Sequence, residues 1–273
     1  MKKTFSVTRG DKEAPLSLVL MCSDDPQHTF LRYLLEQQFP GFRCIVEPND
    51  GQVRHLMKKG RDKDVRYMKY HGRRRRKNGD SASRKAFFGG LVPEGFTPAA
   101  PDLEVDSINC QEVWSLLEDW KPEVTICAGT KYIGKKAIAR AGTMLNLHTG
   151  HLPDYKGNQC IFFTLLDREY GKISGTIHQL SSELDGGAIL ERVVPEIRST
   201  DSEEDLYARI QFLMINRVVE LCQKFREGAT WTFKPQPAGG RMFRHRDRTP
   251  WKEFLYRVGR MTGRIRLPDQ KGR

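Results

Sequence analysis

The chain has 273 residues, 38% of them apolar, which is enough for one large α/β domain with additions and ordinary for a soluble fold. No run approaches the roughly 18 to 20 consecutive apolar residues of a membrane span, and Met1-Lys2-Lys3-Thr4 leads into polar residues rather than an apolar signal core, so no membrane partner and a cytoplasmic location are expected. The net charge of +12 is uneven: residues 52–89 hold 14 Lys or Arg against 3 acids and residues 226–273 hold 13 against 4, which leaves the rest of the chain acidic.

Residues 16–22 form a nearly continuous apolar run. The polar cluster Ser23-Asp24-Asp25-Pro26 follows, and then Phe30, Leu31, Tyr33, Leu34 and Leu35 at helical spacing, which predicts a strand, a capped turn and a helix. Cys44-Ile45-Val46 is a second short strand ending at Pro48-Asn49-Asp50-Gly51, so the opening reads βαβ and argues for a parallel sheet. The basic stretch at about 53–90, with Arg73-Arg74-Arg75-Arg76-Lys77, interrupts the rhythm and is expected as a mobile loop or partly helical excursion. The βα pattern returns with Leu103-Glu104-Val105, a helix carrying Val113, Trp114, Leu116, Leu117 and Trp120, and a strand at 124–127. After a loop at 128–134 and a short helix, the strand 143–147 puts Asn146 and His148 at a carboxyl end, where ligands bind in open α/β sheets. A strand at 174–180 opens into Ser181-Ser182-Glu183-Leu184-Asp185-Gly186-Gly187, and 189–197 reads as one more. A long amphipathic helix then starts with Asp201 or Ser202 as its N-cap. Residues 1–225 are thus expected as a catalytic domain with a basic insertion at about 52–90, and 226–273 as a basic C-terminal extension. The six cysteines are scattered without a CxxC pair and read as reduced, small buried hydrophobes.

Asn146, His148 and Asp185 combine an amide donor, an imidazole that moves protons and a carboxylate that orients it, which acyl transfer to an amine requires. Taken singly, Asn146 reads as a strand-end turn residue and His148 as a satisfied core histidine. The contexts His151-Leu152-Pro153-Asp154-Tyr155-Lys156-Gly157 and Asp185-Gly186-Gly187 raise them together. His148 and His151 as an HxxH pair lack a third ligand, so no metal is expected.

Over Asn146-Leu147-His148 through Gly157, and again over Gly175-Thr176-Ile177-His178 through Gly187, the chain resembles the folate-dependent formyltransferases. That family includes glycinamide ribonucleotide, methionyl-tRNA and nucleotide-sugar N-formyltransferases, and residues 101–225 follow its order of strands and helices. The resemblance implies an α/β, Rossmann-like formyltransferase fold with a mostly parallel twisted sheet and helices on both faces. It implies 10-formyltetrahydrofolate as donor in place of a dinucleotide, and no GxGxxG follows the first strand. Asn146, His148 and Asp185 would be catalytic, with two roles open to His148: accepting the amine's proton, or holding the oxyanion when protonated. Thr130, Tyr132, Ile133, Leu180, Ser181 and Leu184 would wall the pterin pocket with Met144 beneath. Gly150, His151, Tyr155 and Lys156 would face the substrate, Lys156 as a phosphate contact; His178 recurs in the family's strand pattern and reads as structural. Many members carry Ser where this chain has Gly150, and Gly there recurs in sugar-type members.

The expected reaction is formyl transfer to the primary amine of a small anionic acceptor, a nucleotide-linked amino sugar first. Methionyl-tRNA and glycinamide ribonucleotide are the alternatives, and a catalytically idle nucleic-acid-binding protein of the same fold is the reading from another class. The basic insertion leaves nucleic acid open as a partner, although the stretch after the long helix is expected to be too short for the β-rich RNA-binding domain of tRNA-directed members. Arg241, Arg244, Arg246 and Arg248, near Phe243 and Trp251, are expected to meet substrate phosphates. Sugar-type members often dimerise, which keeps a homodimer in view.

Overall fold

The computed structural model describes residues 3–10 and 13–272. A short edge strand, β1 (Phe5–Val7), precedes β2 (Leu18–Cys22), α1 (Pro26–Gln38) and β3 (Arg43–Val46), after which three helices follow in a row, α2 (Asn49–Lys58), α3 (Asp62–Lys77) and α4 (Asp80–Gly89). The βα alternation resumes with β4 (Leu103–Glu104), α5 (Gln111–Trp120), β5 (Val124–Ala128), α6 (Lys135–Ile138) and β6 (Thr143–His148). Then come β7 (Tyr155–Gly157), α7 (Cys160–Asp167), β8 (Gly175–Gln179), β9 (Ile189–Val193), α8 (Glu203–Arg226), β10 (Trp231–Phe233), β11 (Arg241–Phe243) and α9 (Pro250–Met261). No helix among the described residues is long and apolar enough to cross a membrane.

A seven-stranded sheet runs in the order β4-β3-β2-β5-β6-β8-β9, parallel from β4 to β6 and antiparallel at β8 and β9. Every residue of β2 and β5 is buried, as expected of central parallel strands covered on both faces. Alternation sorts their side chains into two layers. Leu18, Leu20 and Cys22 pack with Phe30, Leu31, Phe88 and Met214 from α1, α4 and α8, whereas Val19 and Met21 pack with Val113, Leu117 and Ala137 from α5 and α6. On β6 the same alternation sends Leu145 and Leu147 to the first layer and Met144 to the second, so Asn146 and His148 share the face of Met144. Ser202 caps α8: its hydroxyl accepts from the Asp205 N–H, and the Asp205 carboxylate accepts from the Ser202 N–H.

The basic insertion is helical throughout α2, α3 and α4 and packs into the body, in place of the expected mobile or partly helical excursion. α3 lies on α4 and on the turn His245–Asp247, and α4 lies on α1 and α8. Inside the insertion, Val65 and His71 are buried, and Phe88 packs at a tilt against Phe30 with 1% of its surface exposed. A handful of inward residues is enough to seat helices whose other faces are Lys and Arg.

The tail after α8 is woven into the body and forms no separate lobe. β10 pairs antiparallel with β1, β11 pairs parallel with β7, and Ile265 and Leu267 are buried. The guanidinium of Arg248, wholly buried, donates to Glu203 at 2.6 and 2.7 Å, to Glu253 at 2.5 Å and to Gln159 at 2.7 Å, and lies 3.8 Å from the centre of the Phe162 ring. Arg241 is also engaged internally, with Asp167 at 2.5 Å and the Tyr155 hydroxyl at 2.7 Å. These two arginines hold the tail in place, which corrects the expectation that they meet substrate phosphates.

Arg248→Ala is expected to lower the unfolding free energy by about 3–5 kcal/mol, because it leaves Glu203 in a desolvated place without its cation and takes from Glu253 one of its two. Urea denaturation followed by tryptophan fluorescence checks this; a loss under about 1 kcal/mol would mean that water reaches the cluster.

Candidate active site

A cleft of about 470 Å³ opens where β2, β5, β6 and β8 end. Asp25 and His28 enter it from the loop after β2 and the start of α1, residues 130–133 from the loop after β5, Asn146 and His148 from β6, and residues 180–181 and 183–185 from the loop after β8. Helices α2, α3, α4 and α8, residues 157–161 and His245 of the tail complete the wall.

Antiparallel register puts Asn146 directly across from His178, and His148 across from Thr176. The Nδ1 of His178 lies 3.0 Å from the Gln179 carbonyl oxygen, which can only accept, so the ring proton sits on Nδ1 and Nε2 is left as an acceptor. The Asn146 amide donates to that Nε2 at 3.0 Å. Burial, the largest influence, holds the His178 imidazole below its ordinary pKa against the pull of Asp185, so the neutral tautomer persists. One N–H of the Asn146 amide is thereby tied down with its plane set, and the second N–H is left for a ligand oxygen in the cleft. His178 is more than a structural strand residue: it positions Asn146.

His148 is buried, with Nε2 2.9 Å from the Tyr155 carbonyl oxygen, so Nε2 carries a proton. Its Nδ1 is 3.6 Å from Asp185 Oδ2. Asp185 is itself fixed on several sides. Its Oδ2 accepts the Gly157 N–H at 2.6 Å, its carbonyl accepts from Gln236 at 2.8 Å, and its Oδ1 stands 3.7 Å from His178 Nε2. The loop reaches this place through a left-handed Asp185 (φ 50°) and through Gly187, where a Cβ would sit 1.7 Å from the Gln179 carbonyl oxygen. Asn146, His148 and Asp185 are thus brought together.

The residues expected around the pterin divide cleanly. Thr130, Tyr132, Ile133, Leu180, Ser181 and Leu184 line the cleft, and Met144 is buried beneath, in the cluster that also holds Ile133 and Leu180. Tyr132 and Leu184 present large apolar side chains to solvent at its rim, 51% and 42% exposed.

The residues expected to face the substrate do not line the cleft. Tyr155 is wholly buried, its hydroxyl donating to Asp167 at 3.0 Å; the segment contributes its backbone carbonyl, which orients His148. Lys156 is buried 3.4 Å from Glu183, because pairing of β7 with β11 turns the segment into a small second sheet. His151 turns away to Ser174 at 3.0 Å. Gly150 leaves space beside the cleft: a Cβ there would lie 2.4 Å from His148 Nε2 and 2.9 Å from both the Cys160 Cβ and the Tyr155 carbonyl oxygen. Arg244 and Arg246 also lie outside the cleft lining. What the sequence did not reveal is the α3 stripe of Met68, His71, Arg74 and Arg75, with Arg84 from α4 and Tyr207 from α8. Its available signal was the i, i+3, i+7 spacing of Met68, His71 and Arg75, hidden among charges.

Fold and site define an α/β enzyme whose functional groups converge at the carboxyl edge of its sheet. Residues 70–221, more than half of the chain, match the family model described as formyl transferase, and the chain belongs to that family. It is 30% identical over 126 residues to phosphoribosylglycinamide formyltransferase of Escherichia coli (strain K12), covering 42% of this chain and 58% of that protein. It is 31% identical over 108 residues to a methionyl-tRNA formyltransferase of Campylobacter jejuni subsp. doylei, covering 39% and 35%. The match therefore spans less than two thirds of either relative's length. A 4-N formyltransferase from Francisella tularensis superposes with a TM-score of 0.57 at 13% identity over 91% of this chain and 89% of that one. A sugar N-formyltransferase from Shewanella sp. does so with 0.54 at 16% identity, over 83% and 76%. At such identities the two structures show a shared fold.

Burial pushes His71 and His151 down to about 4 from an ordinary 6.5. The unfolded chain binds protons near pH 6.5 that the folded chain refuses, so this contribution to stability is complete above pH 6.5 and is lost as pH falls through about 4. Thermal melts between pH 7.5 and 4.5 should show a midpoint already falling by about pH 5.5, ahead of the carboxylates; a flat profile to about pH 5 would show rings open to water.

Proposed function

We propose that the chain transfers a formyl group from 10-formyltetrahydrofolate to the primary amine of a small anionic acceptor, a nucleotide-linked amino sugar being the favoured class. The observation that carries this reading is the Asn146 N–H, set by a neutral His178, in the same cleft as the His148–Asp185 pair. The walls suit the donor. Ile133 and Leu180 over Met144 provide an apolar floor, Tyr132 and Leu184 an apolar rim, and the loops 130–133 and 180–184 backbone groups for the edges of a flat heteroaromatic ring. The bound donor supplies the formyl carbon and a nitrogen leaving group.

Asn146 donates to the oxygen that gains charge when the amine attacks, an interaction worth a few kcal/mol where the donor is preorganised. The proton lost by the attacking amine passes to the His148–Asp185 pair and from there to the departing nitrogen, so the products are an N-formyl amine and tetrahydrofolate, and the site returns to its starting state. Asp185 acts through His148, holding the ring from 3.6 Å. A cleft of about 470 Å³ lies within the range of about 300–1,000 Å³ for small-molecule sites, which favours a small acceptor over a nucleic acid stem.

Asn146→Ala is expected to lower kcat by about 10²–10³, and His148→Ala and Asp185→Ala to cause similar losses to one another. Asn146→Ala and His148→Ala should keep the melting temperature, and all three should keep its rise with 5-formyltetrahydrofolate, a stable donor analogue; at a concentration 100 times Kd the rise corresponds to about 2.7 kcal/mol. No rise in the wild-type protein would sink the donor assignment, and full turnover by Asn146→Ala would sink the oxyanion role.

A further inference from the structure

Nearly every cation in the helical wall of the cleft is committed to a protein partner. Arg84 is bidentate on Glu204 at 2.6 and 2.8 Å and Arg74 reaches Glu253 at 3.2 Å, while on the loop after β5 the Lys131 ammonium folds against Met68 at 3.3 Å. Glu203, the remaining carboxylate of that wall, is taken by Arg248. Arg75 differs: half-buried and lining the cleft, it has neither a hydrogen bond nor an ion pair among the described residues. A guanidinium withdrawn from water without a partner is costly. Burial and the neighbouring Arg84 charge both weigh against its protonated form. Asp25 offsets this from a distance, and its carboxylate already accepts from the Ser23 hydroxyl at 2.9 Å.

A second group on the same face of α3 is also unmatched. His71, one turn before Arg75, is 1% exposed and lines the cleft. Its Nε2 donates to the His245 carbonyl at 2.8 Å, so Nδ1 is an acceptor, and that atom is buried without a partner among the described residues. Residues at i and i+4 on a helix stand one above the other, so a single ligand lying along α3 meets both: a fork of donors suited to an oxyanion and a lone pair suited to a hydroxyl or N–H.

We propose that this face of α3 is the acceptor subsite, with Arg75 gripping a phosphate of the acceptor and His71 Nδ1 accepting from a hydroxyl or N–H of the same molecule. The proposal rests on the reading of the chain as a formyltransferase with an anionic acceptor, and it assigns acceptor selectivity to the basic insertion.

The test titrates inorganic pyrophosphate, at constant ionic strength, into the full chain and into Arg75→Gln, and in parallel 5-formyltetrahydrofolate into both. Loss of a charge-assisted two-pronged contact should weaken pyrophosphate binding by at least about tenfold, with folate affinity unchanged. Equal pyrophosphate affinity in the two proteins, or no binding to the wild type, overturns the subsite. Weaker folate binding by Arg75→Gln also overturns it, since Arg75 would then hold a carboxylate of the donor. Absence of folate binding to the wild type strikes the formyltransferase reading separately, on a readout that does not involve pyrophosphate. If Arg75→Gln fails to fold, Arg75→Met carries the same comparison with the same deciding outcomes.

Discussion

Arg248 draws three parts of the chain onto one guanidinium and reaches a fourth through Glu253. Glu203 opens α8, Gln159 and Phe162 belong to the start of α7, Glu253 lies on α9, and Glu253 in turn reaches Arg74 on α3. The guanidinium is planar and stays charged when desolvated, so it can stack on a ring while pairing with two carboxylates at its edges. The consequence is architectural: the tail and the basic insertion are locked to each other and to the helix that backs β6 and β8. The cleft has its helical wall because these parts cannot separate without exposing unpaired buried charge.

The other half of the cleft depends on strand register. Asn146 and His178 are partners in the β6–β8 ladder, and the Gln179 carbonyl decides which nitrogen of His178 is free to accept. Likewise the Tyr155 carbonyl decides the tautomer of His148, and Gly150 leaves room for that ring to reach it. Backbone carbonyls, which cannot donate, thus set the protonation pattern of both imidazoles. Asp185 sits between them, at 3.6 and 3.7 Å, and couples the pair. This division of labour explains why Tyr155 matters through its main chain while its side chain is buried elsewhere, and why a residue that reads as structural, His178, governs the orientation of the donating amide.

Much of the fold was legible because the βα repeat is written in local periods. The buried runs of β2, β5 and β6, the polar turns after them and the Ser202 cap each depend on neighbours in sequence. The short strands β1, β7, β10 and β11 were not legible, since three-residue segments carry too little pattern and exist only through partners far along the chain. α7 was also missed, an apolar run whose burial on nearly all sides removes the helical stripe that would identify it.

By itself the sequence determined the α/β class, the placing of Asn146, His148 and Asp185 at strand ends, and the loops that wall the cleft, because strand parity and motif spacing are local properties. Only the tertiary structure decided which charges remain free. In the sequence Arg75 is one of five consecutive basic residues and Arg248 one of many in the tail. In the fold Arg248 is consumed by two glutamates and Arg75 faces the cleft without a partner among the described residues, since a charge becomes available or spent only through groups that folding brings beside it.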